Sequence, residues 1–286
     1  MVEKVLHHPP NRLSSGLKRV PMPTNSRPIV IKIGGSTLGA ADTSLQDLVT
    51  LQRQGCMPVV VHGGGPAISQ WMQRQGLAPR FVRGLRVTDA PSLEIVVAVL
   101  AGLINKQLVA KVMALGGRAV GISGADGGLL QARPANPELG LVGEVVGVNP
   151  EPVLELMRAG YIPVVAPVGI YLPGKAEDEW TLLNINGDTA VGHLAWALNA
   201  DKLVFLTDVE GVLDSSKRLI PRVTVREVRG LISSGTADGG MIPKLEACVK
   251  ALERVPVARI LDGRVPQALL DAINGQGGGT WLTGTA

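Results

Sequence analysis

A short run near residue 30 constrains the fold more than any other part of the chain. Residues 29–33 read Ile-Val-Ile-Lys-Ile, and Gly34 and Gly35 follow directly. A run that is apolar on both faces is typical of a central parallel strand, but Lys32 interrupts it, and lysine is rarely buried without a partner. A Gly-Gly turn lets the backbone approach another group closely. The segment therefore predicts either an anion site at the end of a buried strand or a strand-edge cation that reaches water.

Predicted strands and helices alternate along the rest of the chain. The alternation indicates an α/β fold, a three-layer αβα sandwich around a central, mostly parallel sheet. Such sheets bind ligands at the carboxyl ends of their strands. The predicted strands are 29–33, 58–61, 118–122, 162–166, 203–206, 257–261 and 280–283. The predicted helices are 45–54, 67–75, 92–115, 152–158, 189–198, 223–232, 241–252 and 266–273. A β-ribbon is predicted from 128–133 and 141–148, with an irregular or hairpin segment at 80–89 and a surface hairpin at 168–184.

Composition and charge narrow the classes of partner. Only 3% of the residues are aromatic, so the stacking platforms of nucleic-acid-binding proteins are missing. The net charge of +4 lies in residues 1–27, which hold five basic residues and one acidic residue. This predicts a flexible basic N-terminal extension over 1–27 and one domain over 28–286. No membrane partner is expected, because the longest apolar run, 95–104, is too short to span a bilayer.

The same apolar run, together with the cysteines and histidines, leads to three further expectations. Residues 95–100 are apolar all round, which indicates burial in the core or in a subunit interface. We expect a homodimer through the helix near 95–104.

Two cysteines far apart in sequence fit a reducing cytoplasm, with organellar targeting by the N-terminal extension as the alternative. The isolated histidines give no support to a protein-held metal site.

The glycine clusters indicate phosphate binding of an unusual kind. The chain contains no G-x-x-x-x-G-K-[ST] segment, and no G-x-G-x-x-G follows its first strand, which excludes a P-loop and a dinucleotide-binding Rossmann fold. Instead, separate glycine clusters occur at 34–35, 63–65, 127–128 and 239–240. The strand, glycine run and helix start at 58–75 form a typical anion site.

Six segments, in this order, carry a resemblance to a known family. They are I-K-I-G-G (31–35), V-V-H-G-G-G-P (60–66), G-L-R-V-T (84–88), N-I-N-G-D (184–188), L-T-D-V-E-G-V (206–212) and D-G-G-M-I-P-K (238–244). The set resembles the amino acid kinase family from about residue 28 to the end. Within the family it most resembles the members that use ATP to phosphorylate the side-chain carboxylate of N-acetyl-L-glutamate, the second step of arginine biosynthesis.

The resemblance implies a role for each matching residue. Lys32 and Lys244 would stabilise the transferring phosphoryl group, and Asp188 would hold both lysines in place. The implied substrate-binding residues are Gly64, Gly65, Arg86 and Asn184. The implied nucleotide- and phosphate-binding residues are Gly34, Gly35, Asp208, Gly211, Gly239 and Met241. The acceptor would bind to the half of the domain up to about residue 185, and ATP would bind to the C-terminal half with Mg²⁺ brought by the nucleotide.

Each polar residue also has an ordinary structural interpretation. Asp188 could be a helix N-cap, and Lys244 could lie on a solvated helix face. Arg86 could be a solvated loop cation, and Asp208 a turn residue at a strand end. His62 is interpreted as a structural hydrogen-bonding residue under the glycine loop. A carboxylate acceptor is already ionised at neutral pH, so the chemistry needs no general base.

Two other functions stay open at this point. Gly187 and the segment 122–127 resemble a related kinase that acts on aminoadipate bound to a carrier protein in lysine biosynthesis. The other alternative is a non-catalytic relative that senses arginine. Gln267 and Ala272 stand where arginine-inhibited members carry the His and Glu that contact the inhibitor. The resemblance therefore implies weak or absent inhibition by arginine.

Overall fold

An eight-stranded sheet forms the centre of the fold in the computed structural model, which describes residues 27–35, 43–172 and 181–284. All neighbouring strands are parallel except β13 and β14. The basic extension predicted for 1–27 lies outside the described residues, apart from its last residue. In spatial order the strands are β12 (Arg222–Thr224), β14 (Thr280–Thr283), β13 (Val257–Asp262), β11 (Lys202–Thr207), β1 (Ile29–Ile33), β2 (Pro58–His62), β8 (Ile162–Ala166) and β5 (Ala119–Ser123).

Helices cover both faces of this sheet, which confirms the predicted three-layer sandwich. Ile31 and Ile33 pack with the apolar faces of α1, α4 and α9, whereas Val30 packs on the opposite face with α6 and α8. The helices are α1 (Ser44–Arg53), α2 (Gly65–Arg74), α3 (Ala90–Val97), α4 (Asn105–Ala114), α5 (Glu151–Arg158), α6 (Gly187–Ala197), α7 (Val225–Ser233), α8 (Met241–Ala251) and α9 (Ala268–Ile273).

Among the described residues, six short strands lie outside the main sheet. β3 (Phe81–Val82) and β4 (Leu85–Arg86) form the hairpin expected within 80–89. The other four are β6 (Leu130–Pro134), β7 (Val142–Val148), β9 (Val168–Tyr171) and β10 (Thr181–Ile185). They form a small closed barrel in the order β10, β7, β6, β9. The antiparallel β6–β7 pair confirms the predicted ribbon. The β9–β10 pair forms the hairpin predicted at 168–184, and its tip, 173–180, lies outside the described residues.

The predicted long helix is confirmed and runs from Ala90 to Ala114, with a π-helical segment, Ala98–Ile104, between α3 and α4. Its length, and the mean hydropathy of 1.8 over its most apolar 18 residues, would suffice to cross a membrane, which the shorter run at 95–104 did not suggest. Buried helices of globular domains have the same composition. Here Val96 and Val99 pack in the core, whereas Leu103 is exposed on the outer face.

The helix predicted from residue 223 was wrong at its start. Residues 222–224 form β12, and α7 begins at Val225. Thr224 accepts a hydrogen bond from the N–H of Glu227, whose carboxylate accepts one from the N–H of Thr224. This capping box fixes the first turn of α7 and leaves Thr224 itself extended.

Candidate functional site

The position of Lys32 follows from the alternation of side chains along β1. Residues two apart on a strand share a face, so Lys32 lies on the same face as Val30. That face packs against α6, whose Val191 and Leu194 belong to the same core cluster as Val30. At the carboxyl end of β1 the Lys32 side chain therefore extends towards the N-terminus of α6.

Three charged side chains meet at this point. Lys32 Nζ lies 2.9 Å from Asp188 Oδ1, and Lys244 Nζ donates a hydrogen bond of 3.0 Å to Asp188 Oδ2. The side chains of Lys32, Asp188 and Lys244 are 11%, 8% and 15% exposed. One carboxylate thus orients two lysines, and this trio keeps one excess positive charge in a largely water-excluded place.

Close packing of α6 against α8 brings Asp188 and Lys244 together. Gly192 of α6 faces α8 so closely that an added Cβ would lie 2.6 Å from the carbonyl oxygen of Ala247. Glycine is therefore required here for the approach of the two helices. Lys244 also donates to the carbonyl oxygen of Gly240, 3.1 Å away, which ties its side chain to the start of α8.

The structure excludes the ordinary interpretations of Asp188, Lys32 and Lys244. The N-cap of α6 is Asn186, whose Oδ1 accepts from the N–H groups of Asp188 and Thr189 at 2.9 and 3.1 Å. Burial favours the neutral form of Asp188, but the attraction and hydrogen bonds of the two lysines outweigh it and hold its pKa below the usual range. Asp188 is therefore ionised at neutral pH, and both lysines are paired instead of solvated.

A cavity of about 190 Å³, here called the Arg86 cavity, opens beside Lys32 and Asp188 and is also lined by Gly64, Gly65, Arg86 and Asn184. Arg86 is 7% exposed, so it is not a solvated loop cation. Its guanidinium donates to Ser69 Oγ at 2.8 Å and to the Gly65 carbonyl oxygen at 3.0 Å. Desolvation lowers the pKa of Arg86, though not enough to discharge a guanidinium. The cavity therefore contains an oriented cation.

Thr88 links the Asn184 side chain to the backbone of Arg86. The Asn184 side-chain N–H donates to Thr88 Oγ1 at 3.0 Å, and that hydroxyl donates to the carbonyl oxygen of Arg86 at 3.2 Å. Thr88 is fully buried. Sequence reasoning gave it no role, although it closes the G-L-R-V-T segment. Ile68 and Leu100 supply apolar wall, so the cavity suits a small anion that also carries a short apolar group.

The glycine clusters of β1 and β2 meet where these neighbouring strands end. The Gly63 N–H donates to the Ile33 carbonyl oxygen at 2.9 Å, and a Cβ added to Gly35 would lie 3.3 Å from the backbone nitrogen of Gly64. Within the described residues, the N–H groups of Gly35, Gly64 and Gly65 have no hydrogen-bond acceptor. Backbone N–H groups arranged like this bind anions. Gly34 belongs to the same turn and donates to Leu206 at 3.1 Å.

A second cavity, about 300 Å³ and here called the Asp208 cavity, lies on the other side of the trio. Asp208, Gly211, Met241 and Lys244 line it. Gly239 does not, although its neighbours do, and its φ of 47° places it in a left-handed turn before α8. Asp208 accepts a hydrogen bond from the Thr207 hydroxyl at 3.2 Å. Lys32 and Asp188 therefore face one cavity and Lys244 the other.

One predicted cluster lies elsewhere. Gly127 and Gly128 follow β5, the edge strand of the sheet, and line neither cavity.

Gly187, on which the likeness to aminoadipate kinases partly rested, has room for a methyl group, because an added Cβ would lie 3.6–3.8 Å from its nearest neighbours. Gly187 also lines the Arg86 cavity, so its missing side chain leaves that space to a ligand.

Comparisons with known proteins agree with this geometry. The profile of the amino acid kinase family matches residues 27–262. The acetylglutamate kinase of Synechococcus sp. is 44% identical over 268 residues, covering 91% of this chain and 87% of that protein. The acetylglutamate kinase of Dehalococcoides mccartyi is 43% identical over 256 residues, which cover 90% of this chain and 94% of that protein. The crystal structure of smu.665 from Streptococcus mutans superposes with a TM-score of 0.75 at 29% identity, covering 89% of this chain and 98% of that chain.

Proposed function

The chain belongs to the amino acid kinase family, and we propose that it transfers the γ-phosphoryl group of ATP to the side-chain carboxylate of N-acetyl-L-glutamate, as in arginine biosynthesis. The observation that carries this proposal is the Lys32–Asp188–Lys244 trio between two cavities. Bringing an anionic nucleophile to anionic ATP needs fixed positive charge at the junction of their sites.

The chemistry follows from the groups on either side of the junction. An acceptor carboxylate in the Arg86 cavity attacks the γ-phosphorus, and the bond from that phosphorus to the bridging oxygen of ATP breaks, with ADP taking the electron pair. No proton has to be removed, because the carboxylate is ionised at neutral pH. We propose that Lys32, Lys244 and the N–H groups of Gly35 and Gly64 neutralise charge on the transferring group, and their position between the two cavities supports this.

Arg86 and Asn184 are proposed to bind the α-carboxylate of the acceptor. Arg86 keeps its charge although it is buried, and Asn184 is oriented by Thr88. Ile68 and Leu100 offer apolar contact to the acetyl methyl group. On the other side, Asp208, Gly211 and Met241 are proposed to contact ATP.

Mg²⁺ is proposed to arrive with the nucleotide. Among the described residues, no three His, Cys, Asp or Glu side chains cluster closely enough to hold a metal ion. Magnesium commonly binds through substrate phosphates and one or two carboxylates. Three carboxylates line the Asp208 cavity, those of Asp208, Asp214 and Asp238, and Asp214 is already paired with Arg218. The ion would add charge neutralisation at the phosphates.

The function is tested by incubating the full chain with ATP, Mg²⁺ and N-acetyl-L-glutamate and trapping the acyl phosphate with hydroxylamine. We expect hydroxamate to form only when all three are present. A parallel reaction supplies carrier-protein-bound aminoadipate, and faster turnover of that substrate would favour the alternative kinase. No turnover of either would favour a non-catalytic relative. Adding L-arginine to the first reaction checks the expectation of weak inhibition.

Replacing Arg86 with lysine is expected to raise the KM for N-acetyl-L-glutamate by about 30- to 100-fold, because one or two charged hydrogen bonds of about 2–3 kcal/mol in total are lost. The kcat should stay within a few-fold of wild type, because Arg86 does not contact the transferring group. Steady-state kinetics check both values. Arg80→Lys, an exposed change just before the same hairpin, is the matched control. An unchanged acceptor KM in Arg86→Lys would show that another group binds the α-carboxylate.

We propose a homodimer through the outer face of the helix Ala90–Ala114, where Gly102 and Leu103 are exposed in an apolar surround. Leu103→Glu places a charge on that face and is expected to convert the dimer to a monomer. Light scattering coupled to size exclusion measures the mass. Val146→Glu, at a 58%-exposed position of β7, should leave the dimer intact. A monomeric wild-type chain, or a dimer that survives Leu103→Glu, contradicts this interface.

A cytoplasmic location is also proposed. It is supported by two free cysteines, Cys56 and Cys248, in the described part of the chain. Burial raises the pKa of both thiols, so neither is a ready nucleophile.

A further inference from the structure

A fully buried histidine lies under the glycine loop, and the proposed chemistry does not use it. His62 ends β2, immediately before Gly63, and is 0% exposed. Burial lowers its pKa to about 4, so the ring is neutral at physiological pH. Its neighbour Asn105 is also 0% exposed, at the point where the π-helical segment becomes α4. Two buried polar side chains in contact require an account of every hydrogen.

A lysine fixes the orientation of the Asn105 amide. Lys106 Nζ, which can only donate, lies 3.1 Å from Asn105 Oδ1 and 2.8 Å from the Gly121 carbonyl oxygen. Oδ1 of Asn105 is thus the atom that faces Lys106. The amide nitrogen faces the other way and donates to the Val164 carbonyl oxygen at 2.8 Å and the Ile122 carbonyl oxygen at 3.2 Å.

The Gly63 carbonyl fixes the tautomer of His62. His62 Nδ1 lies 3.0 Å from that oxygen, and since a carbonyl oxygen only accepts, the ring hydrogen is on Nδ1. The other ring nitrogen, Nε2, lies 3.3 Å from Asn105 Nδ2, whose two hydrogens are shared among Nε2 and the carbonyl oxygens of Val164 and Ile122. The chain Lys106, Asn105, His62 is therefore directional and ends on the backbone of the glycine loop.

The last hydrogen bond sets the direction of the next peptide N–H. The Gly63 N–H is held by Ile33 and its carbonyl by His62, so both ends of this residue are fixed. In a trans peptide the carbonyl and the following N–H point in opposite directions, and no described peptide bond is cis. The Gly64 N–H thus points away from His62, and Gly64 is among the residues that line the Arg86 cavity.

The long helix prevents the loop from moving back. A Cβ added to Gly64 would lie 2.4 Å from Ile104 Cδ1 and 2.6 Å from Leu100 Cδ2. Both side chains come from the π-helical segment. The position of Gly64 is therefore restricted by Ile104 and Leu100 on its Cα and by the hydrogen bond of His62 to the Gly63 carbonyl.

We propose that His62 and Asn105 are positioning residues: they hold the Gly63–Gly64 peptide so that the Gly64 N–H is aimed at the transferring phosphoryl group. This inference rests on the proposed phosphoryl transfer. A purely structural histidine would lower stability when it is removed but would leave kcat unchanged below the melting temperature. A positioning histidine lowers kcat and leaves the two KM values nearly unchanged, because the N–H acts most strongly as charge develops.

The kinetic test compares His62→Leu with His62→Asn. Leucine removes the donor to the Gly63 carbonyl, and kcat is expected to fall about 100-fold, the usual effect of losing one preorganised donor. Asparagine carries an N–H near the position of Nδ1, and it is expected to recover at least tenfold of that loss. Leu269→Ala, a fully buried change in α9 away from both cavities, is the matched destabilised control and should keep the wild-type kcat at 25 °C. Wild-type kcat in a folded His62→Leu protein overturns the proposal.

A second measurement does not depend on activity. The ¹⁵N chemical shifts of the His62 ring, assigned by difference from His62→Asn, report which nitrogen carries hydrogen. We expect Nδ1–H and an unprotonated Nε2 in the wild type, and a changed Nε2 shift in Asn105→Leu, which loses the amide donor facing Nε2. Nε2–H in the wild type overturns the proposal. If the wild type turns over neither acceptor while the shifts show Nδ1–H, the proposed function fails and the hydrogen-bond chain stands.

Discussion

Lys32→Met is expected to lower kcat by about two to three orders of magnitude, the range found when one preorganised charge-stabilising donor is removed. Methionine keeps the unbranched shape of lysine and removes the ammonium group that lies 2.9 Å from Asp188. The lost charge acts on the transferring group more than on bound substrates. The KM values for both substrates should therefore change by only a few-fold. Steady-state kinetics with hydroxylamine trapping give all three constants.

Lys250→Met is the matched control for this change. Lys250 lies on the same helix as Lys244, pairs with Glu253 at 2.7 Å and lines neither cavity. It should keep wild-type kinetics. A Lys32→Met enzyme with kcat within tenfold of wild type would mean that the phosphoryl group is transferred elsewhere.

Asp188→Asn should reduce both activity and stability. The amide has the shape of the carboxylate but leaves two lysine ammonium groups close together without a counter-charge. We expect kcat to fall by about 100-fold or more, because neither lysine stays oriented. Breaking a buried charge arrangement by removing one partner costs about 3–5 kcal/mol. Thermal unfolding at pH 7 and steady-state kinetics measure the two losses.

The pH dependence of stability provides a second test of the prediction for Asp188→Asn. The pKa of Asp188 in the folded chain is below its usual value, so its contribution is present above the ordinary carboxyl pKa and is lost as the pH falls through the lowered value. The difference in melting temperature between wild type and Asp188→Asn should therefore be constant from pH 8 to 5 and shrink below pH 4. Asp201→Asn, which removes a partly exposed pair with Lys202, should cost at most about 1 kcal/mol. Equal stability of Asp188→Asn and wild type would contradict the ion-pair account.

The central strand and the long helix could be predicted because their signals are local. The β-branched run of β1 and the apolar run around residues 95–104 each lie within one element. The capping box of Thr224 and Glu227 was also readable, and it would have placed the start of α7 correctly. β12 itself could not be predicted, because it is three residues long and depends on pairing with β14, far away in sequence.

In the candidate site, too, some residues could be identified from the sequence and others only from the packing. The glycine loops and the two lysines stand out by composition, but only packing shows that Asp188 pairs with both. That pairing depends on Gly192, a helix-interior glycine whose purpose appears only when α8 lies against it. Thr88 and Asn105 gave a weak signal, a polar residue beside or within an apolar segment, and their partners come from distant strands. Gly127 and Gly128 form an equally clear glycine cluster in the sequence, but they follow the edge strand β5 and line neither cavity.

The central claim is that the side-chain carboxylate of the acceptor attacks the γ-phosphorus of ATP. It is tested most directly with N-acetyl-L-glutamate whose side-chain carboxylate carries ¹⁸O in both oxygens. Hydroxylamine attacks the carbonyl carbon of the acyl phosphate and releases phosphate that keeps the bridging oxygen. Mass spectrometry of the released phosphate should find one ¹⁸O atom per molecule. Phosphate without ¹⁸O would mean that water, not the acceptor, received the phosphoryl group, and it would contradict the account.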